Sequence, residues 1–286
     1  MIPGRVVVLG GKRGLLGMPL TRTLTEAGYE VVPTGRDTLD VFDESAVARL
    51  LNDFKPDYVF NTIAYTAVDQ AEDEPVEAAK LNKTLPRLLG QICLDHGSCL
   101  VHYSTDFVFD GTKTEPYVET DPVNPQSVYG KTKLEGELAL ADMGMEHFLC
   151  LRTAWLFGPG KINFVEKILG YARERDVLRI VHDQVGSPTS TIDLSSMSLA
   201  LIKANARGLF HTVGGGKASW CELTSEAVAA AGVNCRVEPI MSDEFPQKAK
   251  RPAYSVLSTQ KLTEVTGFTP RPWVQSLREY VYGFLA

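Results

Sequence analysis

Long hydrophobic segments and runs of basic residues are both missing from this sequence. No apolar run approaches the roughly 18 residues that a membrane-spanning helix requires, and the first residues do not form a charged-then-apolar leader. The net charge is -6, and no basic cluster could neutralise the phosphates of a nucleic acid. We therefore expect a cytoplasmic protein that binds neither a membrane nor a nucleic acid.

Paired cysteines and clustered histidines are also lacking. The five cysteines are odd in number, and none of them forms a C-x-x-C pair. Cys93, Cys99 and Cys150 lie in apolar segments that are typical of a protein interior. The five histidines have no spacing typical of metal ligands. A disulfide framework and a metal site are therefore both disfavoured, and a reducing compartment is favoured.

Strand-like and helix-like segments alternate along the chain. The 286 residues, 44% of them hydrophobic, are enough to bury a large core. Short Val- and Leu-rich segments separated by amphipathic helices predict an α/β fold with a doubly wound, Rossmann-type parallel sheet. We expect residues 1–155 to form this sheet and residues 190–213 to return to it. Residues 156–286 are expected to form mainly a smaller, interleaved substrate-binding region.

Three glycines at three-residue spacing follow the first predicted strand, Arg5 to Leu9. Gly11, Gly14 and Gly17 precede a helical segment from Met18 to Ala27. Without Cβ atoms, such a loop lets a diphosphate approach backbone N–H groups at the positive end of the helix. A plain tight turn is the alternative, and the flanking strand and helix favour the nucleotide site.

The end of the second predicted strand, Tyr29 to Pro33, carries Arg36 and no acid. An acid there would bind the 2′-hydroxyl of an unphosphorylated ribose, whereas a cation accommodates a 2′-phosphate. Arg13 could supply a second positive charge. NADPH is therefore favoured over NADH, although NADH remains an open alternative. The alternative interpretation of Arg36 is a solvated side chain that contacts no cofactor. The residues that we expect around the cofactor are Gly11, Arg13, Gly14, Leu15, Gly17, Arg36, Asp40, Val41, Ala64, Tyr65, Asn82, Tyr129 and Lys133.

A tyrosine and a lysine four positions apart follow the fourth predicted strand. If a helix begins at Gln126 or Ser127, Tyr129 and Lys133 share one of its faces. The ammonium should then lower the pKa of the phenol from about 10 towards the range of a general acid. Alone, this pair is as typical of a solvated helix face. Together with the glycine loop and with Thr105 at the end of strand four, it indicates a catalytic site.

In this combination the chain resembles the extended, sugar-nucleotide branch of the short-chain dehydrogenase/reductase superfamily. Within that branch it is similar to the dTDP-4-dehydrorhamnose reductase family. The resemblance runs essentially end to end and is carried by the segments 61–72, 104–111, 152–155, 183–189, 251–252 and 267–273. It implies that NADPH reduces the C4 keto group of dTDP-4-dehydro-L-rhamnose to give dTDP-L-rhamnose.

The resemblance also implies roles for individual residues. Tyr129 would donate the proton, Lys133 would hold the phenol and bind the nicotinamide ribose, and Thr105 would polarise the carbonyl. Phe107 stands where relatives commonly have a tyrosine, which puts one hydrogen bond to the sugar in doubt. The residues that the resemblance carries to the substrate are Thr66, Val68, Thr105, Phe107, Trp155 and Arg251.

Other functions remain as alternatives. A sugar-nucleotide epimerase or dehydratase shares the Tyr/Lys pair, although similar dehydratases have Glu where this chain has Phe107. A non-catalytic NADP-binding subunit, similar to the regulatory β subunit of methionine adenosyltransferase, need not keep Thr105, Tyr129 and Lys133. Some family members dimerise around magnesium through an acid after the glycine loop. Leu15 and Leu16 occupy that region here, so no metal is implied. A homodimer remains possible.

Overall fold

The computed structural model describes residues 4–285, so residues 1–3 and 286, the outer ends of the two predicted regions, lie outside it. The strands are β1 (Arg5–Leu9), β2 (Glu30–Pro33), β3 (Tyr58–Asn61), β4 (Cys99–Thr105), β5 (Leu149–Thr153), β6 (Leu156–Phe157), β7 (Val177–Val181), β8 (Val185–Gly186), β9 (Thr189–Ser190), β10 (Gly208–His211), β11 (Ala218–Ser219) and β12 (Arg236–Ile240).

The helices alternate with the strands along the chain. They are α1 (Gly17–Glu26), α2 (Glu44–Phe54), α3 (Pro75–Ala79), α4 (Leu85–Asp95), α5 (Val128–Ala141), α6 (Phe164–Glu174), α7 (Thr191–Lys203), α8 (Trp220–Ala230), α9 (Gln260–Thr266) and α10 (Trp273–Phe284). In the part of the chain that is described, no helix has both the length and the apolar character to cross a bilayer.

Six strands form one parallel sheet in the order β10-β5-β4-β3-β1-β2. Successive residues of β1 enter different cores, with Val6 and Val8 facing α1 and α7 and Val7 and Leu9 facing α2 and α4. Both faces are therefore buried, which explains the uninterrupted apolar sequence of β1. The predicted doubly wound parallel sheet is confirmed.

A smaller region packs beside the carboxyl edge of this sheet. It contains three short strand pairs, β7 with β12, β8 with β11 and β6 with β9. Helices α6, α8 and α10 enclose a separate core that includes Leu169, Leu223 and Leu277. The chain does not stay in one region, because α7 packs on α1, and α9 packs on α7 and β10.

Several boundaries differ from the sequence-based expectation. The sequence predicts one long helix from about Pro75 to His96, but a π-helical turn at Lys80–Thr84 separates α3 from α4. The sequence predicts the fifth strand from His147 to Leu151, but β5 begins at Leu149, because Met145–His147 forms a 3-10 turn. Strand β12 and helices α9 and α10 were not predicted.

Candidate active site

A cleft of about 570 Å³ lies between the carboxyl edge of the sheet and the smaller region. Its sheet side consists of the glycine loop, the segment after β3 and the ends of β4 and β5. Ligands of open α/β sheets bind at this edge. The predicted site residues that line the cleft are Gly14, Leu15, Ala64, Thr66, Val68, Thr105, Phe107, Tyr129, Lys133, Trp155 and Arg251.

The glycine loop is folded tightly against its own backbone. Gly10 has a φ of +83°, and a Cβ on Gly17 would lie 2.3 Å from the Gly10 carbonyl oxygen. Gly11 and Gly17 are buried beneath the loop and shape it, whereas Gly14 and Leu15 reach the cleft. Helix α1 has no side-chain cap and no acid in its first turn. Its positive end is therefore available to an anion.

The two predicted arginines lie on the surface near this loop. Arg13 is exposed and lies 4.0 Å from Asp37, and Arg36 is exposed at the end of β2. Neither lines the cleft, so they are placed to meet only a part of a dinucleotide that extends beyond it. Asp40 is exposed and accepts a hydrogen bond from the Phe42 amide at 3.0 Å, and Val41 packs against the core.

Asn82 lies on the π-helical turn and is fully buried. Its side chain accepts from the Tyr65 amide at 2.9 Å and donates to the Tyr65 carbonyl at 3.1 Å. It also donates to the Thr132 hydroxyl at 3.1 Å. Asn82 therefore does not reach the cleft, and it fixes the segment that carries Ala64 and Tyr65. A π-helical turn often marks such a functional position.

Thr105 and Tyr129 meet at the end of β4. Burial raises the pKa of Tyr129 to about 12, and an interaction with the Thr105 hydroxyl partly opposes this. The Thr105 hydroxyl donates to Asp106 at 3.0 Å and accepts from the Phe107 amide at 3.2 Å. The phenol is therefore protonated at neutral pH and held beside Thr105.

Lys133 is only 2% exposed, and its position corrects one expectation. Its ammonium donates to the Tyr103 carbonyl and lies 3.4 Å from His102 Nε2. Burial lowers the pKa of Lys133 to about 8, and no effect of Lys133 on the phenol is seen. The expected lowering of the Tyr129 pKa is therefore wrong for this structure, since desolvation dominates the phenol.

Aromatic side chains form part of the wall of the cleft. The Phe107 ring meets the Tyr129 ring edge-on, with 5.5 Å between the ring centroids. Trp155 stacks on Trp220 with a centroid distance of 3.6 Å and an angle of 5° between the rings. Phe107 therefore packs against the phenol, and Trp155 belongs to an indole pair contributed by both regions.

Arg251 lines the cleft but is already paired. Its guanidinium donates to both carboxylate oxygens of Asp69, at 3.0 and 2.9 Å, which lowers the pKa of Asp69. Lys250 does not line the cleft, and it donates to the Gln126 side chain at 3.3 Å. A diphosphate at this position would share Arg251 with Asp69.

Two buried residues beside the predicted triad were missed. Asp106 accepts from the Thr105 and Ser255 hydroxyls, and burial raises its pKa to about 6. His102 lies between Asn61 and Lys133, and burial keeps its pKa well below the usual value. A histidine within an otherwise apolar strand was the available signal for His102. Ser255 is far from Asp106 in sequence, and nothing in the pattern joins them.

The cleft offers groups that fit a nicotinamide dinucleotide. The buried hydroxyls of Ser104 and Thr153 line it and have no hydrogen-bond partner within residues 4–285. The Leu15 and Leu16 amides are not used in any backbone hydrogen bond of the described chain. Unpaired donors at a helix N-terminus and orphaned hydroxyls are the groups that a diphosphate and a ribose-amide portion require. Over the same residues, no cluster of three or more potential metal ligands occurs.

Fold and site together define an NAD(P)-dependent oxidoreductase of the short-chain dehydrogenase/reductase type. Residues 5–285 match the family described as "RmlD substrate binding domain", and the chain belongs to that family.

Curated proteins and solved structures agree with this assignment. The chain is 37% identical over 286 residues to the dTDP-4-dehydrorhamnose reductase of Sinorhizobium fredii, with 96% of each protein covered. A crystal structure of such a reductase from Clostridium acetobutylicum is 39% identical with a TM-score of 0.92, covering 99% of this chain and 100% of that one. A reductase structure from Bacillus anthracis in complex with NADP is 31% identical, also with a TM-score of 0.92, and covers 98% of this chain and 99% of that chain.

Proposed function

We propose that this protein uses NADPH to reduce the C4 keto group of dTDP-4-dehydro-L-rhamnose, giving dTDP-L-rhamnose. The observation that carries this proposal is the meeting of Thr105, Tyr129 and Lys133 in one cleft that also contains the end of the glycine loop. Family membership over nearly the whole chain supports the same reaction.

Tyr129 supplies the proton. NADPH, when bound, supplies the hydride, and the resulting alkoxide requires a proton from the protein. A phenol with a pKa of about 12 is fully protonated at neutral pH and is available as the acid. The Thr105 hydroxyl turns about a single bond from Asp106 to the substrate oxygen, which it polarises.

Lys133 lies on the same helix as the proton donor and would bind the cofactor. Its ammonium is anchored to the Tyr103 carbonyl in the middle of β4, one helical turn from Tyr129. With a pKa of about 8 it is charged at neutral pH, and a ribose hydroxyl of the cofactor would be its further partner.

We further propose that different parts of the chain bind the cofactor and the substrate. Residues 1–155, with 190–213, bind the cofactor, and residues 156–286 mainly bind the dTDP-sugar. The cleft supports this division, because Lys161, Phe164 and Trp220 face the sheet edge from the smaller region.

Reduced nicotinamide absorbance tests the reaction directly. With NADPH and the keto-sugar, the wild type should oxidise NADPH, and Tyr129→Phe should lower turnover by about 10²- to 10⁴-fold. Tyr254→Phe is the matched control, because Tyr254 is partly buried outside the cleft.

The product and the bound state separate the alternatives. NMR of the product should show dTDP-L-rhamnose, and the C4 epimer would contradict the assigned stereochemistry. Tight NADPH binding without turnover of any keto-sugar would support a non-catalytic subunit instead.

A further inference from the structure

Trp155 has a backbone conformation that a bulky side chain rarely adopts. Its φ is +47°, between the end of β5 and the start of β6. A large residue in the left-handed region is unfavourable and persists only where its surroundings hold it. Glycine would be the ordinary residue at such a bend, so the surroundings of the indole have to hold this conformation.

Two elements of the smaller region hold this indole. Trp220 stacks on it in near-parallel orientation, 3.6 Å between centroids. A Cβ added to Gly186 would lie 2.6 Å from the nearest indole carbon of Trp155, so only glycine permits this approach. Phe164 in turn packs against Trp220, with the ring centroids 4.6 Å apart.

Backbone pairing and a helix cap fix the positions of Gly186 and Trp220. Strand β8 pairs with β11, which sets Gly186 opposite Ala218. Ser219 then caps α8 through a capping box with Glu222, so that Trp220 is the first helical residue. The pairing and the cap fix Trp220 and Gly186 relative to one another, and the indole of Trp155 is fixed against both.

Both indoles line the same cleft as Thr105 and Tyr129. We propose that Trp220 and Gly186 are positioning residues that hold Trp155 as an apolar wall for the sugar ring of the substrate. Such a wall suits the C–H face and methyl group of a 6-deoxyhexose and offers little to a sugar with a hydroxyl at C6. The inference rests on the proposed function and assigns the selection of the deoxysugar to residues outside the sheet.

The test measures binding separately from turnover. Calorimetry with dTDP-L-rhamnose should show that Trp220→Ala raises Kd about tenfold, while Trp220→Phe, which keeps an aromatic ring, stays within about threefold. Gly186→Ala should weaken binding in the same way without removing an aromatic ring. The Kd for NADPH should not change in any of these variants, and KM for the keto-sugar should rise more than kcat falls.

Circular dichroism reports the indole pair itself. Two stacked indoles give an exciton couplet, which should disappear in Trp220→Ala. The couplet should persist in the control Trp273→Phe, because Trp273 does not line the cleft. The inference is overturned if the couplet is lost while Kd and KM for the sugar stay at wild-type values, or if Gly186→Ala binds normally. Wild-type protein that binds dTDP-L-rhamnose without reducing the keto-sugar would overturn the proposed function alone.

Discussion

At the scale of the residue, Lys133 is a charge that the fold does not favour. It is almost completely buried, and its ordinary pKa of 10.5 falls to about 8 in the folded protein. The charged form below pH 8 therefore costs of the order of 3 kcal/mol of stability. We infer that this cost is retained for the site, because Lys133 lines the cleft and lies on the same helix as Tyr129.

Replacing Lys133 by methionine should separate stability from activity. Lys133→Met should be about 1–2 kcal/mol more stable than the wild type at pH 7, after loss of the hydrogen bond to Tyr103 is subtracted. Turnover should fall at least about 10²-fold. Urea unfolding and NADPH oxidation measure the two effects, and the exposed Lys131→Met is the control.

The difference in stability between the wild type and Lys133→Met should depend on pH. The unfolded chain binds more protons than the folded one between the two pKa values of Lys133, so wild-type stability rises from pH 8 to 10.5. The advantage of Lys133→Met should shrink over this window. A variant that is less stable at pH 7, by a margin that does not change with pH, would contradict this account.

The sequence predicts the reacting groups better than their surroundings. Thr105, Tyr129 and Lys133 could be chosen because their spacing places them on one helix face and one sheet edge. The Tyr129 pKa could not be predicted, because desolvation depends on packing from other parts of the chain. For the same reason the Asp106–Ser255 contact was missed, since it joins residues 149 positions apart.

At the scale of the element, the position of α5 is set by a close approach of its backbone to the π-helical turn. A Cβ on Gly136 would lie 2.2 Å from the Asn82 carbonyl oxygen, on the π-helical turn. Helix α5 and that turn therefore touch through backbone atoms, next to the hydrogen bonds of Asn82 with Tyr65 and Thr132.

A methyl group at this contact should be costly. Gly136→Ala should lose about 2 kcal/mol of stability through overpacking and should weaken NADPH binding by displacing the Tyr65 segment. Gly170→Ala is the matched control in α6, where nothing lies within 4 Å of an added Cβ. That change should stabilise the protein by about 0.5–1 kcal/mol. Equal unfolding midpoints for the two variants would refute the argument.

Elements that are buried on both faces could be predicted closely, and exposed ones could not. Strands β1 and β3 begin and end where the apolar segments do. Strand β12 has only Ile240 fully buried, contains Pro239 and depends on pairing with the distant β7, so its local sequence carries little signal. The π-helical turn has no sequence signature, because it results from the fit of Asn82 between α5 and the β3 segment.

At the scale of the whole molecule, the sheet is completed by chain from beyond residue 155. Strand β10 forms its edge against β5, and Leu194, Met197 and Leu201 of α7 pack into the core that also contains Leu20 of α1. The division of the chain into 1–155 and 156–286 remains a prediction about ligand binding. It does not describe two parts that fold alone.

A fragment of residues 1–155 should therefore fail to fold. Without α7 and β10 it exposes one face of the sheet, and we expect no cooperative urea transition and no NADPH binding. Adding residues 156–213 should restore some of the helical signal. A 1–155 fragment that binds NADPH with the affinity of the full chain would show that the sheet is independent.

The repeated passage of the chain between sheet and smaller region also restricts how the protein can move. The polypeptide leaves the sheet after β5 and returns to it with α7 and β10. It leaves the sheet a second time after β10 and returns with α9. Rotation of the two regions about a single hinge would have to bend all of these connections together. Substrate entry should then depend on movement of short surface segments, such as the Gly158–Gly160 turn beside the cleft. The two regions should keep the same position relative to each other.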